Sequence, residues 1–161
     1  PNLKANILYI DSNVDSSKEF KVLLNEKAGK VLSTERNIYK VLYDTTTKQL
    51  RVNYIFLDGS RLSKKNIDSL RNIIIEQYKN GTPFDSLASK YTMDGNSNFG
   101  DTNWFAPEMM VAEFSEEIQK HSTSEVFIVD VIKNEWYYVV KNTFAPKITR
   151  QMKILIVPSG C

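Results

Sequence analysis

The stretch from Phe84 to Phe114, FDSLASKYTMDGNSNFGDTNWFAPEMMVAEF, constrains the fold more than any other part of the chain. Phe84, Leu87, Ala88 and Tyr91 recur at i, i+3, i+4 and i+7, which predicts a short helix with one apolar face. Thr82-Pro83 starts that helix, because a first helical N–H has no partner and proline has no N–H to lose. Met93 to Asn103 is polar, contains glycine and reads as a loop. Trp104-Phe105 suits a short buried strand. Pro107 then opens another helix with Met110, Val111, Phe114 and Ile118 inward.

The flanks supply a sheet. Leu50–Leu57 alternates as a strand, with Leu50, Val52, Tyr54 and Phe56 on one face and Arg51, Asn53, Ile55 and Leu57 on the other. Ser63 is placed to cap a long helix to about Lys79, with Ile67, Leu70, Ile74 and Tyr78 as its apolar stripe. Asn80-Gly81 stops it, since glycine takes a left-handed C-terminal position without steric cost. Val126–Ile132 and Trp136–Lys141 predict an antiparallel hairpin turning near Asn134.

Before this lies a strand at Ala5–Ile10. A short helix capped by Asp15 or Ser16 follows, with Phe20, Leu23 and Leu24 inward and its end near Ala28-Gly29, then a strand at Ile38–Tyr43. After it, Met152–Val157 is one more apolar strand, suited to pair with an N-terminal strand or a neighbouring chain. The implied division is an N-terminal extension over 1–48, a central domain over 49–145 and a C-terminal tail strand over 146–161.

Composition narrows the function. The 161 residues are 42% hydrophobic and 25% charged, and 21 basic against 19 acidic residues leave a net charge of +2. That balance argues against a nucleic-acid or anionic-membrane partner. No apolar run is long enough for a membrane-spanning segment. One cysteine, Cys161, and one histidine, His121, rule out an intrachain disulfide and make Ser-His-Asp or Cys-His catalysis a poor fit. His121 reads as a solvated residue at a polar helix end. Asp94-Gly-Asn96-Ser-Asn98 starts like a calcium loop, but Phe99 and Phe105 stand where such a loop needs glycine and glutamate. No metal and no organic cofactor are expected.

Three pieces in order carry a family resemblance: Phe84, Leu87, Ala88, Tyr91 and Thr92; then Gly100, Asp101, Trp104 and Phe105; then Met110, Val111, Glu113 and Phe114. Together they resemble the parvulin-type peptidyl-prolyl cis-trans isomerases, over about Leu50 to Phe144. The resemblance implies an α+β fold, a four-stranded antiparallel sheet surrounded by helices, with extra N-terminal and C-terminal segments. It implies rotation about X–Pro bonds in proline-containing polypeptides.

The resemblance also implies a site. Met110 and Phe114 would line the proline pocket, with Thr102, Trp104 and Phe105 completing the substrate-binding set. Asp94 falls where the family places a cysteine or aspartate facing the substrate amide; as a residue in a polar loop it equally suits an Asx turn. Tyr54 and Tyr138 stand where the family has two histidines. A phenol donates and accepts hydrogen bonds as an imidazole does, but it cannot become a cation near neutral pH. These three are the implied catalytic residues. Thr102 replaces a pocket leucine, which implies a less apolar pocket, and Asn103 replaces a glycine, which implies a positive φ. No basic cluster stands at the pocket mouth to read phosphate.

Three functions remain open at this point. One is an active foldase of the periplasm or cell envelope, with the cytoplasm as the alternative location. The second is a polypeptide-binding module with weak or no turnover. The third is an adaptor acting through its terminal strands, which also offer a route to self-association.

Overall fold

The computed structural model describes residues 5–12, 17–96 and 98–159. The chain divides into two compact units, one made of residues 1–48 and 148–161, the other of residues 49–147.

The terminal unit contains β1 (Asn6–Asp11), α1 (Lys18–Leu23), β2 (Val31–Ser33), β3 (Asn37–Gln49) and most of the last strand, Lys147–Pro158. Its sheet has the last strand between β1 and β3, with β2 beyond β3. One face is closed by α1: Ile10, Leu23, Tyr39, Val41, Met152 and Ile154 are all buried there. Ser17 caps α1 by accepting a hydrogen bond from the N–H of Phe20. The expected caps, Asp15 and Ser16, lie outside the described residues, as does Cys161. The helix ends at Leu23, six residues long, rather than near Gly29. Arg150 accounts for the early stop: it donates to the carbonyls of Leu24 and Glu26 and pairs with Asp44 at the same time. Ile154 to Val157 are therefore inside the sheet and not on its edge.

The central unit contains β4 (Asn53–Asp58), α2 (Lys64–Lys79), α3 (Phe84–Tyr91), α4 (Ala112–Ile118), β5 (Val126–Val131) and β6 (Trp136–Lys141). The strand of the terminal unit named above is then β7. The central sheet is antiparallel with β6 in the middle, pairing Ile55 with Val139 on one side and Ile128 with Val139 on the other. Ser63 caps α2, and Gly81 (φ +94°) follows its C-cap. Pro83 sits at the N-cap of α3, one position earlier than proline's most favourable place.

Both faces of this sheet are covered, by different elements. Ile55, Leu57, Tyr137 and Val139 pack under α2 and α3 with Ile67, Ile74, Phe84 and Leu87. Val52, Phe127, Val129 and Val140 pack under α4 with Phe114 and Ile118. The fourth strand of the expected sheet is reduced to two isolated bridges, Leu50 with Phe105 and Asn53 with Asp101.

One buried residue breaks the apolar stripe of α2. Arg71 is 2% exposed, donates to the carbonyl of Val129 at 2.7 Å and pairs with Asp130 at 2.6 Å. It ties α2 to β5 through the polar edge of the core. Removing Arg71 leaves the Val129 carbonyl without that donor and Asp130 with only Lys64 at 3.8 Å, at a cost of about 3 kcal/mol once the lost packing is included. Arg71→Ala should therefore lower the melting temperature by roughly 6–12 °C. Arg71→Met, which keeps most of the side-chain volume, should cost less. Urea unfolding with an unchanged m-value checks both.

Candidate functional site

Strand β4 positions the site through its outer edge. Every second residue along that edge bonds to the segment from Thr92 to Phe105. The N–H of Phe56 donates to the Thr92 hydroxyl, and the N–H of Met93 to the Phe56 carbonyl. The Tyr54 N–H donates to the Gly100 carbonyl at 2.9 Å. Val52 exchanges bonds with Thr102, and Leu50 with Phe105, whose N–H and carbonyl are both used. The segment read from sequence as a plain loop thus satisfies the sheet edge, as a buried polar backbone requires. Gly100 permits the approach: at φ +77° a Cβ there would lie 2.3 Å from the Tyr54 carbonyl oxygen. Asn103 has φ 56°, as its replacement of glycine implied.

Above the same face of β4 and β6 lies a cavity of about 300 Å³, lined by Tyr54, Asp94, Thr102, Met109, Met110, Val111, Phe114, Trp136 and Tyr138. It forms because α4 is only seven residues long and covers the β5 side of the face, leaving the β4 side open. Three rings make one wall. Phe114 lies 4.9 Å from Tyr138 and 6.2 Å from Tyr54, and Tyr54 lies 5.9 Å from Tyr138, each pair tilted or edge-on. Such pairs add about 0.5–1.5 kcal/mol each beyond their buried area, which makes a rigid apolar surface.

The polar side of the cavity is centred on Asp94. The Tyr54 hydroxyl donates to Asp94 Oδ2 at 2.7 Å, and the Thr92 hydroxyl to Asp94 Oδ1 at 2.8 Å. The N–H of Asn96 completes an Asx turn at 3.3 Å, and Asp94 itself lines the cavity. Asn96 Nδ2 donates to the Tyr54 hydroxyl at 3.1 Å. Burial, then the hydrogen bond to Asp94, pushes the Tyr54 phenol up to about 12. Burial also raises Tyr138, with smaller contributions from Tyr54 and Asp94. Tyr138 joins through its ring; among the described residues its hydroxyl takes no hydrogen bond.

The structure brings together six of the eight expected residues: Asp94, Tyr54, Tyr138, Met110, Phe114 and Thr102. Trp104 and Phe105 do not line the cavity. Phe105 is 3% exposed in the core beside Leu50 and Val52, and Trp104 packs on Phe144 under the ammonium of Lys147. Adjacent residues of an extended segment point to opposite sides, so the two could not share one wall.

Met110 needs a different account. Pro107–Met109 is a single 3-10 turn, Met110 is extended at φ −117° and ψ 167°, and α4 starts only after Val111. Met110 therefore reaches the cavity from a bend, not from a helical face shared with Phe114. The Thr102 hydroxyl bonds to the N–H and carbonyl of Val52, so its polarity is absorbed by the strand. Met109, Val111 and Trp136 are lining residues the sequence reading missed. Trp136 was legible in principle, since it lies on the same face of β6 as Tyr138.

His121 is not a solvated residue. Its ring stacks on Phe127 at 3.7 Å and is bracketed by Glu117 at 3.2 Å and Glu125 at 2.8 Å, away from the cavity. Among the described residues no cluster of acidic, histidine or cysteine side chains could hold a metal ion. A larger hollow of about 560 Å³ lies in the terminal unit between the exposed rings of Tyr9 and Tyr43. It lacks the buried aromatic wall of the smaller one, and its carboxylate, Asp11, accepts from the Gln151 amide at 3.0 Å.

The central unit is thus an antiparallel sheet covered on both faces, with an aromatic cavity beside a hydrogen-bonded carboxylate. The sequence matches the PPIC-type PPIASE domain over residues 36–144, and the chain belongs to that family. It is 30% identical over 113 residues to the Foldase protein PrsA of Geobacillus kaustophilus (strain HTA426), a match covering 68% of this chain and 36% of that protein. The chain thus spans about a third of that relative's length. The fold is shared with a solved PpiC-type peptidyl-prolyl cis-trans isomerase domain, at a TM-score of 0.50 and 18% identity over 61% of this chain and 95% of that one. It is shared equally with the peptidylprolyl isomerase PrsA of Bacillus anthracis, at 0.50 and 19% over 60% and 42%.

Tyr54 gives a direct test of the site's electrostatics. Its pKa is raised on folding from the ordinary 10 to about 12. The neutral phenol is thus favoured by the fold, and its contribution to stability is complete below pH 10. It is lost as pH rises through 12, because the unfolded chain releases that proton first. Tyr54→Phe should flatten the fall in stability between pH 10 and 12. Phenolate absorbance should lose one late-titrating group in the same variant.

Proposed function

We propose that this chain catalyses cis-trans rotation about X–Pro bonds of polypeptides and so assists their folding. The single observation carrying this reading is the cavity itself, where an apolar aromatic wall faces a hydrogen-bonded carboxylate across about 300 Å³. Rotation breaks no bond but must pass a barrier of about 20 kcal/mol set by amide resonance. A protein lowers it by holding the twisted amide better than either planar form.

In this reading Phe114 and Met110 hold the pyrrolidine ring. Asp94 presents negative charge toward the substrate carbonyl, which disfavours the planar form with charge on oxygen. Tyr54 fixes the Asp94 carboxylate, and Tyr138 fixes the Phe114 ring. Family membership and the foldase relative support the same function. A location at the cell envelope belongs to the proposal through that relative. Self-association through the terminal strands, also part of this proposal, would use the outer edge of β1, where Ile7 and Tyr9 are exposed, because β7 is paired on both sides.

A second reading, a binding module with little turnover, draws on the two tyrosines that stand in for imidazoles. NMR exchange on proline peptides separates the two. Asp94→Ala should slow turnover about tenfold or more with binding retained, a loss of about 1.4 kcal/mol of transition-state stabilisation. Phe114→Ala should abolish both. Turnover unaffected by either substitution would remove the site assignment. No peptide acceleration by wild type, with shifts still seen at Met110 and Phe114, would leave the binding module.

The pH profile is a second check. Neither Tyr54 nor Tyr138 changes charge between pH 5 and 8, since both are held above their ordinary range. The rate should be free of a histidine-like inflection near pH 6.5.

A further inference from the structure

Among the described residues nine line the cavity, and Asp94 is the one acidic or basic side chain of the nine. Its carboxylate is exposed and held by the Tyr54 hydroxyl, the Thr92 hydroxyl and the Asn96 N–H. All three donors are neutral, so they fix its position without cancelling its charge. Four of the other lining residues, Tyr54, Phe114, Trp136 and Tyr138, are aromatic. Ring faces attract cations and repel anions.

We infer that the site selects for charge beside the proline: a lysine or arginine flanking the proline is favoured, and an acidic or phosphorylated neighbour is disfavoured. This rests on the assignment of the cavity as the X–Pro site, and it names the substrate class that site prefers. A cation next to the ring reaches both the Asp94 carboxylate and the aromatic wall. An anion there meets like charge with no basic partner in the lining. Asp94 is thus a specificity-determining residue as well as a catalytic one.

The test uses peptides identical except for Lys, Ala or Glu immediately before or after a single proline. Binding is read from NMR shifts at Met110 and Phe114, and turnover from exchange. Lys should exceed Glu by about three- to tenfold at one flanking position or both, as expected for a partly exposed ion pair gained on one side and repulsion added on the other. In 0.5 M salt the ratio should shrink. Asp94→Asn keeps an acceptor for Tyr54 and should bring the ratio toward one. Because the ratio compares two peptides on one protein, any general loss of catalysis in the variant cancels.

The salt series on wild type carries the test alone if Asp94→Asn does not fold. A wild-type ratio near one at both positions overturns charge selection and leaves the isomerase reading standing. So does a ratio unchanged by salt and by Asp94→Asn. Peptides that bind without shifting Met110 and Phe114, or do not bind at all, overturn both.

Discussion

The outer edge of β4 has to be satisfied, and the central unit depends on how that is done. A strand edge left bare is a row of unpaired donors and acceptors. Here the backbone groups of Leu50, Val52, Tyr54 and Phe56 are met one after another by Phe105, Thr102, Gly100, and Thr92 with Met93. The segment doing this is too irregular to count as a strand, because Phe99, Gly100 and Asn103 all take positive φ. That irregularity makes the site. A regular strand would alternate its side chains and run past the cavity. A segment that pairs, leaves and pairs again can bring Asp94 to the Tyr54 hydroxyl and still return to cover the edge.

The same requirement explains which parts were legible in the sequence. Helix periodicity and caps are local properties, so Ser63, Gly81 and the apolar face of α3 could be read directly. The hairpin of β5 and β6 followed from alternation over adjacent runs. Thr102 could not be read correctly, because its hydroxyl is taken up by a strand fifty residues earlier in the chain. Nor could Arg71, whose partner Asp130 lies on β5. Met110 misled for the opposite reason. Its spacing to Phe114 is helical, but the 3-10 turn at Pro107 ends after Met109 and the helix has to restart. The resemblance placed Met110 at the pocket correctly while the periodic argument gave the wrong geometry for it.

Trp104 and Phe105 show the limit of carrying a motif residue by residue. The motif puts them beside the pocket in sequence, and the Phe105 backbone does bond to β4. Its side chain then fills the core under the cavity while Trp104 turns outward to Phe144 and Lys147. Phe105 supports the wall from behind, through the cluster that contains Phe114. A residue can be required for a pocket without touching what the pocket holds.

Replacing two imidazoles by phenols changes less than it would in a hydrolase. A hydrolase needs a group that takes a proton and gives it back near neutral pH. Amide rotation transfers no proton, so what it needs from the site is a fixed field and a fixed shape. In the proposed isomerase Tyr54 would supply both, with its hydroxyl 2.7 Å from the carboxylate and its ring against Phe114 and Tyr138. A differential of about 4 kcal/mol between twisted and planar amide would give roughly a thousandfold acceleration. That is the scale of a few charge-assisted hydrogen bonds and packed rings acting on one state more than the other. What the exchange removes is a positive charge that an imidazole could carry. Among the described lining residues the one acidic or basic side chain left is then Asp94, and the proposed choice among proline-flanking residues rests on that carboxylate.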